Sequence, residues 1–259
     1  MKVVILCGGA GTRISGGDRT VKKEMVEIGG QPILWHIMKI FAAYNHRDFV
    51  LPLGYRADLI RRYFLNYEVM NRDLSFTLGR PDELVFHDMN RERDWRITFV
   101  DTGLEANKGA RIKRVAQHIT TSPFFVTYGD GVGDVDLDAL LDFHRRHGKL
   151  ATITGVQPYY QYGVMALAED GRVSGYRQYP RLEHWINAGF MLFEQVVFDY
   201  LTEDNSVDLE SGVLARLAAE GQLMMYQHAG FWQSMDTFKD ALTLNELWDG
   251  GNAPWKIWE

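Results

Sequence analysis

The chain has 259 residues, 46% of them apolar and 24% charged, which suits one large globular α/β domain. A formal net charge of −6 excludes a general nucleic-acid binder, and no apolar run approaches the ~18 residues that cross a bilayer, so neither nucleic acid nor membrane is an expected partner. Cys7 is the single cysteine and the N-terminus shows no signal-peptide pattern, which predicts a cytoplasmic protein.

The chain opens on consecutive apolar residues, Val3 to Leu6, as expected for a strand buried on both faces. It passes into Gly8-Gly9-Ala10-Gly11-Thr12-Arg13. Glycines lack a Cβ and reach positive φ, so such a loop can turn its backbone N–H groups onto an anion. Arg13 and the neighbouring Lys22 and Lys23 add the charge that a polyphosphate requires. The spacing matches neither the dinucleotide fingerprint nor the P-loop. It reads as a different grip for a nucleoside triphosphate.

Strands and helices then alternate. A short extended piece at 25–28 ends in Gly29-Gly30, and Pro32 opens a helix running to about Ala43. A strand at 49–53, a helix through 59–64 and a polar stretch at 68–96 follow, the last holding strands at 74–78 and 83–87 as a hairpin excursion or a subunit contact. Next come a strand at 97–100, a helix from Gly109-Ala110-Arg111 to Ile119, a strand at 124–127 ending in Tyr128-Gly129-Asp130-Gly131, and a helix through 137–144. The second half is richer in strands: 150–156, a hairpin of 164–167 and 173–176 about Glu169-Asp170-Gly171, one strand across 185–193, and 223–226 after a helix at 213–219. A final helix spans 238–248. The tryptophans of the tail, among them Trp255 and Trp258, are expected to anchor it on the body or on a neighbouring subunit. No repeat or linker divides the chain, so residues 1–259 are one domain.

Two acids stand at informative positions. Asp130 follows a strand where open α/β sheets place ligand chemistry, and Asp236 follows Phe231-Trp232-Gln233-Ser234-Met235. A carboxylate pair could hold Mg²⁺ together with substrate phosphates. Each could equally cap a following helix. By position alone the two readings balance for Asp130, and the cap is favoured for Asp236. Asp134, Asp136 and Asp138 suit an acidic first helical turn.

The segments GGAGTR and K-x-M, with MVEIGGQPILWHIMK, VDTG, TYGDGVGDVD, FWQSMDT and APWKIWE, run along almost the whole chain. Together they resemble the sugar-1-phosphate nucleotidylyltransferase family, and within it the cytidylyltransferases. The resemblance implies a nucleotide-diphospho-sugar transferase fold: a mixed, mainly parallel Rossmann-like sheet flanked by helices, with a smaller β-rich sugar-binding part. Residues 1–150 would be mainly nucleotide-binding, 151–236 mainly sugar-binding, and 237–259 a C-terminal helix and tail. It implies a homo-oligomer that transfers a cytidylyl group from CTP to a sugar 1-phosphate and releases pyrophosphate, with Mg²⁺ as cofactor. Arg13, Lys23 and Asp130 would be catalytic. Leu6, Gly8, Gly9, Ala10, Gly11 and Thr12 would join them around the nucleotide, with Gly109 and Arg111 near the base. Asp130 and Asp236 would hold the metal. Tyr128, Gly163, Gln178, Tyr179, Asn187 and Gly189 would face the sugar phosphate. No histidine is needed, because a phosphate oxygen is already a competent nucleophile.

The chain departs from the family pattern in two places. Where the family reads K-P-K-P-M, this chain has Val21-Lys22-Lys23-Glu24-Met25. Where it reads E-K-P, with Lys on the sugar phosphate, Gln178-Tyr179-Pro180 stands. Tyrosine cannot neutralise a phosphate; losing that charge-assisted bond costs about 1.5–3 kcal/mol. The acceptor is therefore expected to be glucose 1-phosphate or a modified sugar or cyclitol phosphate. The alternative is a weak or inactive regulatory paralogue that binds nucleotides or nucleotide sugars.

Overall fold

The computed structural model describes residues 1–9, 22–87, 92, 94–160, 162–181 and 183–258. In it the opening apolar run forms β1 (Lys2–Leu6), at the centre of the main sheet. The chain then makes β2 (Glu27–Ile28) and β3 (Gln31–Pro32), helix α1 (Ile33–Ala43), β4 (Asp48–Leu53), and helices α2 (Ala57–Leu65) and α3 (Tyr67–Asn71). The polar stretch contains a hairpin of β5 (Leu74–Thr77) and β6 (Arg80–Phe86). After β7 (Arg96–Asp101) come α4 (Lys108–Arg114), β8 (Phe124–Tyr128), β9 (Gly131–Gly133), α5 (Leu137–His147) and β10 (Ala151–Val156). The second half holds the hairpin β11 (Val164–Leu167) and β12 (Val173–Arg177), then β13 (Ile186–Asn187), β14 (Met191–Phe193), α6 (Ala215–Ala219), β15 (Leu223–Gln227), β16 (Trp232–Ser234) and α7 (Phe238–Asp249).

β1 pairs in parallel with β4 on one side and β8 on the other, and β7 continues the sheet beyond β4. β14 runs antiparallel between β8 and β10, and β15 closes the far edge parallel to β10. The sheet is thus mixed and mainly parallel, with helices on both faces. Strands covered on both sides need apolar residues at successive positions, because alternate side chains point to opposite faces. β1 shows this directly: Val3, Ile5 and Cys7 enter one core cluster with α1, while Val4 and Leu6 enter the other with Ile112 and Val115.

Three expected elements differ in detail. The strand expected over 185–193 is broken into β13 and β14, which lie in line along β10. Gly189 turns the break at φ 79°, and a Cβ there would meet Thr127 Oγ1 at 3.0 Å. At the break Thr154 of β10 still bonds the backbone of Ala188 and Gly189, and side chains complete the pairing. Asn187 Oδ1 accepts from the Gly189 N–H, Thr127 Oγ1 accepts from the Phe190 N–H, and the Thr154 hydroxyl donates to the Phe190 carbonyl. The helix expected from Gly109 to Ile119 stops at Arg114 and continues as a 3-10 turn, Ala116–His118. Before α6, residues Leu209–Leu214 form a wider π turn capped by Asp208, a helical segment that hydrophobic spacing does not reveal.

α1 is buried nearly all round, which the alternation of strands and helices alone would not require. Its outer side is covered by the C-terminal tail, where Trp255 is fully buried and stacks on Phe231 at 5.6 Å between ring centroids. His36 of α1 lies in this aromatic cluster with no exposed surface. Its Nε2–H donates to the Ile28 carbonyl at 2.7 Å, while Nδ1 accepts from Trp255 Nε1–H at 3.4 Å. Those partners assign the neutral Nε2–H tautomer.

Burial pushes the His36 pKa down from 6.5 to about 4. The folded value lies below the unfolded one, so the unfolded chain binds the extra proton as pH falls. The stabilisation is complete above about pH 6.5 and declines toward pH 4, by on the order of 2–3 kcal/mol. Urea unfolding at about pH 7 and about pH 4.5 should show that decline in the wild type and a flatter profile in His36→Gln. Equal pH dependence in the two proteins would refute it.

Candidate active site

The main cavity, about 820 Å³, opens at the C-terminal ends of β1 and β8, where a parallel sheet presents its loops. Leu6, Gly8 and Gly9 line it from β1, and Tyr128 and Asp130 from β8. Ala10, Gly11, Thr12 and Arg13 lie outside the described residues. A Cβ on Gly8 would stand 2.3 Å from Arg111 Nη1, so only glycine lets the loop pass over that guanidinium.

Arg111 reaches beneath the loop from α4. Nη1 donates to the Leu53 carbonyl, the Thr102 hydroxyl oxygen and the Gly103 carbonyl, and Nη2 to the Leu104 carbonyl. It thereby ties the ends of β4 and β7 together under the cavity; burial lowers its pKa. Gly109 does not line the cavity but packs on Val207, where α4 approaches that segment closely.

Lys23 sits in a short 3-10 turn, Lys23–Met25, with its Nζ 2.8 Å from Asp130 Oδ2 and 2.8 Å from Asp236 Oδ1. Burial by itself would lower the lysine pKa, but the charges and hydrogen bonds of the two acids outweigh it and raise the pKa. The acids meet because β9 pairs with β16, Gly131 opposite Ser234, and the Met235 N–H donates to the Asp130 carbonyl. Asp236 Oδ2 also accepts from the Ser234 hydroxyl. Neither acid takes the capping role that position allowed. Asp130 is followed by β9, and α7 is capped by Thr237 in a capping box with Asp240.

Lys22 does not join Lys23 on the cavity wall. It is buried, donates to the Gly9 carbonyl at 2.7 Å and lies 3.1 Å from Glu24 Oε2. Adjacent residues entering a tight turn point apart, so the charge attributed to the pair divides. Burial foremost pushes the Glu24 carboxyl up to about 7, with Lys22 pulling the other way.

A second wall is built from residues far apart in sequence. The Tyr128 hydroxyl donates to Glu210 Oε1 at 2.6 Å and accepts from Asn187 Nδ2 at 3.0 Å, while Lys108 Nζ lies 2.7 Å from the same Glu210 oxygen. Burial, then Glu210, raises the Tyr128 pKa, keeping the phenol protonated. Gly189 packs behind the Tyr128 ring and lets the chain turn Asn187 toward it. Gly163, Gln178 and Tyr179 are not brought to this wall. They lie at the β11–β12 hairpin, where the Tyr176 hydroxyl donates to Gln178 Oε1 and Tyr179 is 57% exposed. Sequence reasoning missed Lys108 and Glu210. The only trace of Lys108 was its place beside Gly109, and the π turn carrying Glu210 had no periodic signal.

Among the described residues no three His, Cys, Asp or Glu side chains cluster as a metal cage. Asp130 and Asp236 nonetheless aim one oxygen each at a single cation, the Lys23 ammonium. Two hard oxygen donors converging in this way fit an ion such as Mg²⁺, which takes one or two carboxylates and leaves its other positions to water and phosphate. No helix among the described residues is long and apolar enough to cross a membrane.

The nucleotidyl transferase family model matches residues 2–249. The chain is 42% identical over 261 residues to glucose-1-phosphate cytidylyltransferase of Salmonella typhi, with all of both chains covered. It is 38% identical over 258 residues, again with full coverage of both, to a protein of Bacillus subtilis (strain 168) named probable glucose-1-phosphate cytidylyltransferase. The crystal structure of HddC from Yersinia pseudotuberculosis superposes with a TM-score of 0.70 at 20% identity, covering 95% of this chain and 99% of that one, a likeness of fold.

Replacing Lys23 by Met leaves two carboxylates face to face. The variant should be about 1–2 kcal/mol less stable than the wild type, a modest cost because both acids are partly exposed. MgCl₂ should restore much of the lost melting temperature and EDTA should reverse the gain. The response should vanish when Asp130→Asn and Asp236→Asn are added. Melting of Lys23→Met that ignores Mg²⁺ would argue against a cation site here.

Proposed function

The chain belongs to the nucleotidyl transferase family, and on that premise we propose that it transfers a cytidylyl group from CTP to a sugar 1-phosphate, releasing a CDP-sugar and pyrophosphate. The observation that carries this reading is the meeting of Lys23, Asp130 and Asp236 at the mouth of a cavity whose floor is the Gly8-Gly9 loop. Full-length similarity to glucose-1-phosphate cytidylyltransferases supports the choice of cytosine as base and glucose 1-phosphate as first acceptor.

In the reaction an oxygen of the sugar phosphate bonds to the α-phosphorus of CTP, and the bond from that phosphorus to the departing pyrophosphate breaks. All reacting groups are anions, so catalysis is chiefly a matter of alignment and charge. The loop from Gly8 through Thr12 would cradle the triphosphate with backbone N–H groups, with Arg13 on its oxygens. Leu6 and Ala10 would complete that wall. Lys23, its pKa raised, remains a full positive charge at neutral pH and would move from the acids to the phosphates as the nucleotide binds. Asp130 and Asp236 would hold Mg²⁺, which when bound neutralises phosphate oxygens and favours departure of pyrophosphate. Arg111 and Gly109 would shape the base end of the cavity, Arg111 by fixing the strand ends beneath it. Tyr128, Asn187 and the turn at Gly189 would present hydrogen-bonding groups to the acceptor.

β10, β14 and β15 share one sheet with β1 and β8, which supports one domain; in this reading its first 150 residues would mainly hold the nucleotide and the next part mainly the sugar. Exposed Phe76, Leu78 and Val85 on the β5–β6 hairpin support a homo-oligomer. CTP as donor supports a cytoplasmic place of action.

Pyrophosphate release should be measured with CTP, UTP and dTTP against glucose 1-phosphate and a panel of modified sugar and cyclitol phosphates. CTP should give the highest rate, EDTA should abolish it, and Lys23→Ala should lower kcat/KM by about 10²–10³-fold. Binding of CTP with no pyrophosphate from any pair would instead leave a nucleotide-binding regulator.

A further inference from the structure

The acceptor phosphate lacks a cation at the place where the sequence pattern puts one. Tyr179 is uncharged and stands outside the cavity lining. Among the described residues, three cations line the cavity: Lys23, Arg111 and Lys108. Lys23 is engaged by two carboxylates, and Arg111 has its Nη atoms turned to the ends of β4 and β7. Lys108 is held differently. Its side chain is 42% exposed, its Nζ rests on Glu210 Oε1 at 2.7 Å and lies 3.9 Å from Asp208 Oδ2, and the Tyr128 ring centroid is 5.8 Å away.

Glu210 Oε1 serves both the Lys108 ammonium and the Tyr128 hydroxyl, and Asn187 donates to that same hydroxyl. The chain Asn187–Tyr128–Glu210–Lys108 therefore runs continuously along one wall. Glu210 Oε2 is shielded and has no partner, so this carboxylate is only half used. A phosphate monoester offers an ammonium more charge and more acceptor oxygens than a shared carboxylate oxygen does. Once Lys108 turns to a phosphate, Glu210 still holds Tyr128 and can rotate its idle oxygen onto a hydroxyl. As a purely structural tie, the Lys108–Glu210 pair would only join α4 to the π turn. Its exposure and its place on the cavity wall favour a binding role.

We propose that Lys108 is a specificity-determining residue that receives the phosphate of the acceptor, with Glu210, Tyr128 and Asn187 taking hydroxyls of the ring that carries it. This assignment rests on the reading of the cavity as a site for nucleotidyl transfer to a sugar phosphate. It divides between two distant segments the pairing of acid and lysine that the family places side by side, and so frees positions 178 and 179 to differ.

The full-length wild type, Lys108→Gln and Lys108→Arg should be compared in two ways. In steady-state pyrophosphate release, Lys108→Gln should raise KM for the sugar 1-phosphate about 10- to 100-fold, with KM for CTP and melting temperature unchanged. Lys108→Arg should recover most of the loss. A structural tie would instead lower melting and leave acceptor KM alone, and a rise confined to the KM for CTP would assign Lys108 to the nucleotide; either result overturns the proposal. Calorimetry with glucose 1-phosphate and with glucose reads the same charge without turnover. The wild type should prefer the phosphorylated sugar, and Lys108→Gln should lose that preference. Equal preference in the two proteins, or none in the wild type, refutes Lys108 as the phosphate residue. Failure of the transferase reading would appear separately, as absence of pyrophosphate release by the wild type across the whole panel.

Discussion

The Lys23 ammonium holds three separated parts of the chain at one point: the 3-10 turn that carries it, the end of β8 and the end of β16. Two carboxylates brought this close would repel each other, and burial without them would lower the pKa of the lysine. Each side makes the other tenable. The arrangement also demands the sheet order that produces it. β1 and β8 must be parallel neighbours for the loop and Asp130 to emerge at one edge, and β9 must pair with β16 to bring Asp236 across. An ammonium between two acids is also a cation site already assembled, which suits a cavity that must gather phosphates and a divalent ion.

The other wall depends on a defect in regular structure. Asn187 keeps its ladder place opposite Gly155 of β10, and the irregularity falls just after it, at Ala188 and Gly189. The turn at Gly189, supported by the Thr127, Thr154 and Asn187 side chains, bends the chain while Thr154 still bonds Ala188 and Gly189, and Asn187 reaches Tyr128 beside it. The π turn at 209–214 acts in the same way, carrying Glu210 to the cavity where Lys108 and Tyr128 meet it. Irregular backbone at both places costs hydrogen bonds in the ladder or helix and is retained where it aims a polar side chain. The covered face of α1 has a different origin. Trp255 and the tail close over it, so the last residues of the chain complete the core built on the first strand.

Much of this architecture was legible in the residues. Runs such as Val3 to Leu6 are apolar because both sheet faces are covered, and that requirement leaves a mark in any sequence. The β11–β12 hairpin announced itself through Glu169-Asp170-Gly171, where Gly171 takes a positive φ, and the glycine loop, Lys23, Asp130 and Asp236 were marked as candidates by type and position, with the family resemblance assigning their roles. The broken strand was not visible, because Trp185 to Phe193 has the composition of a continuous one. Nor was the direction in which Lys22 points: two adjacent lysines look alike until a turn sends one to Gly9 and Glu24 and the other to the acids.

The sequence alone determined the α/β alternation, the burial of the first strand on both faces and the types of residue available for phosphate and metal, since burial and backbone freedom are local demands written into composition and order. The tertiary structure decided which of those residues share a cavity. Lys108, Asn187 and Glu210 come from three segments with no common motif, and only strand pairing and helix packing bring them within hydrogen-bonding reach of one tyrosine or its acid. Charge and hydrogen bonding act over a few ångströms of space, and distance along the chain does not report them.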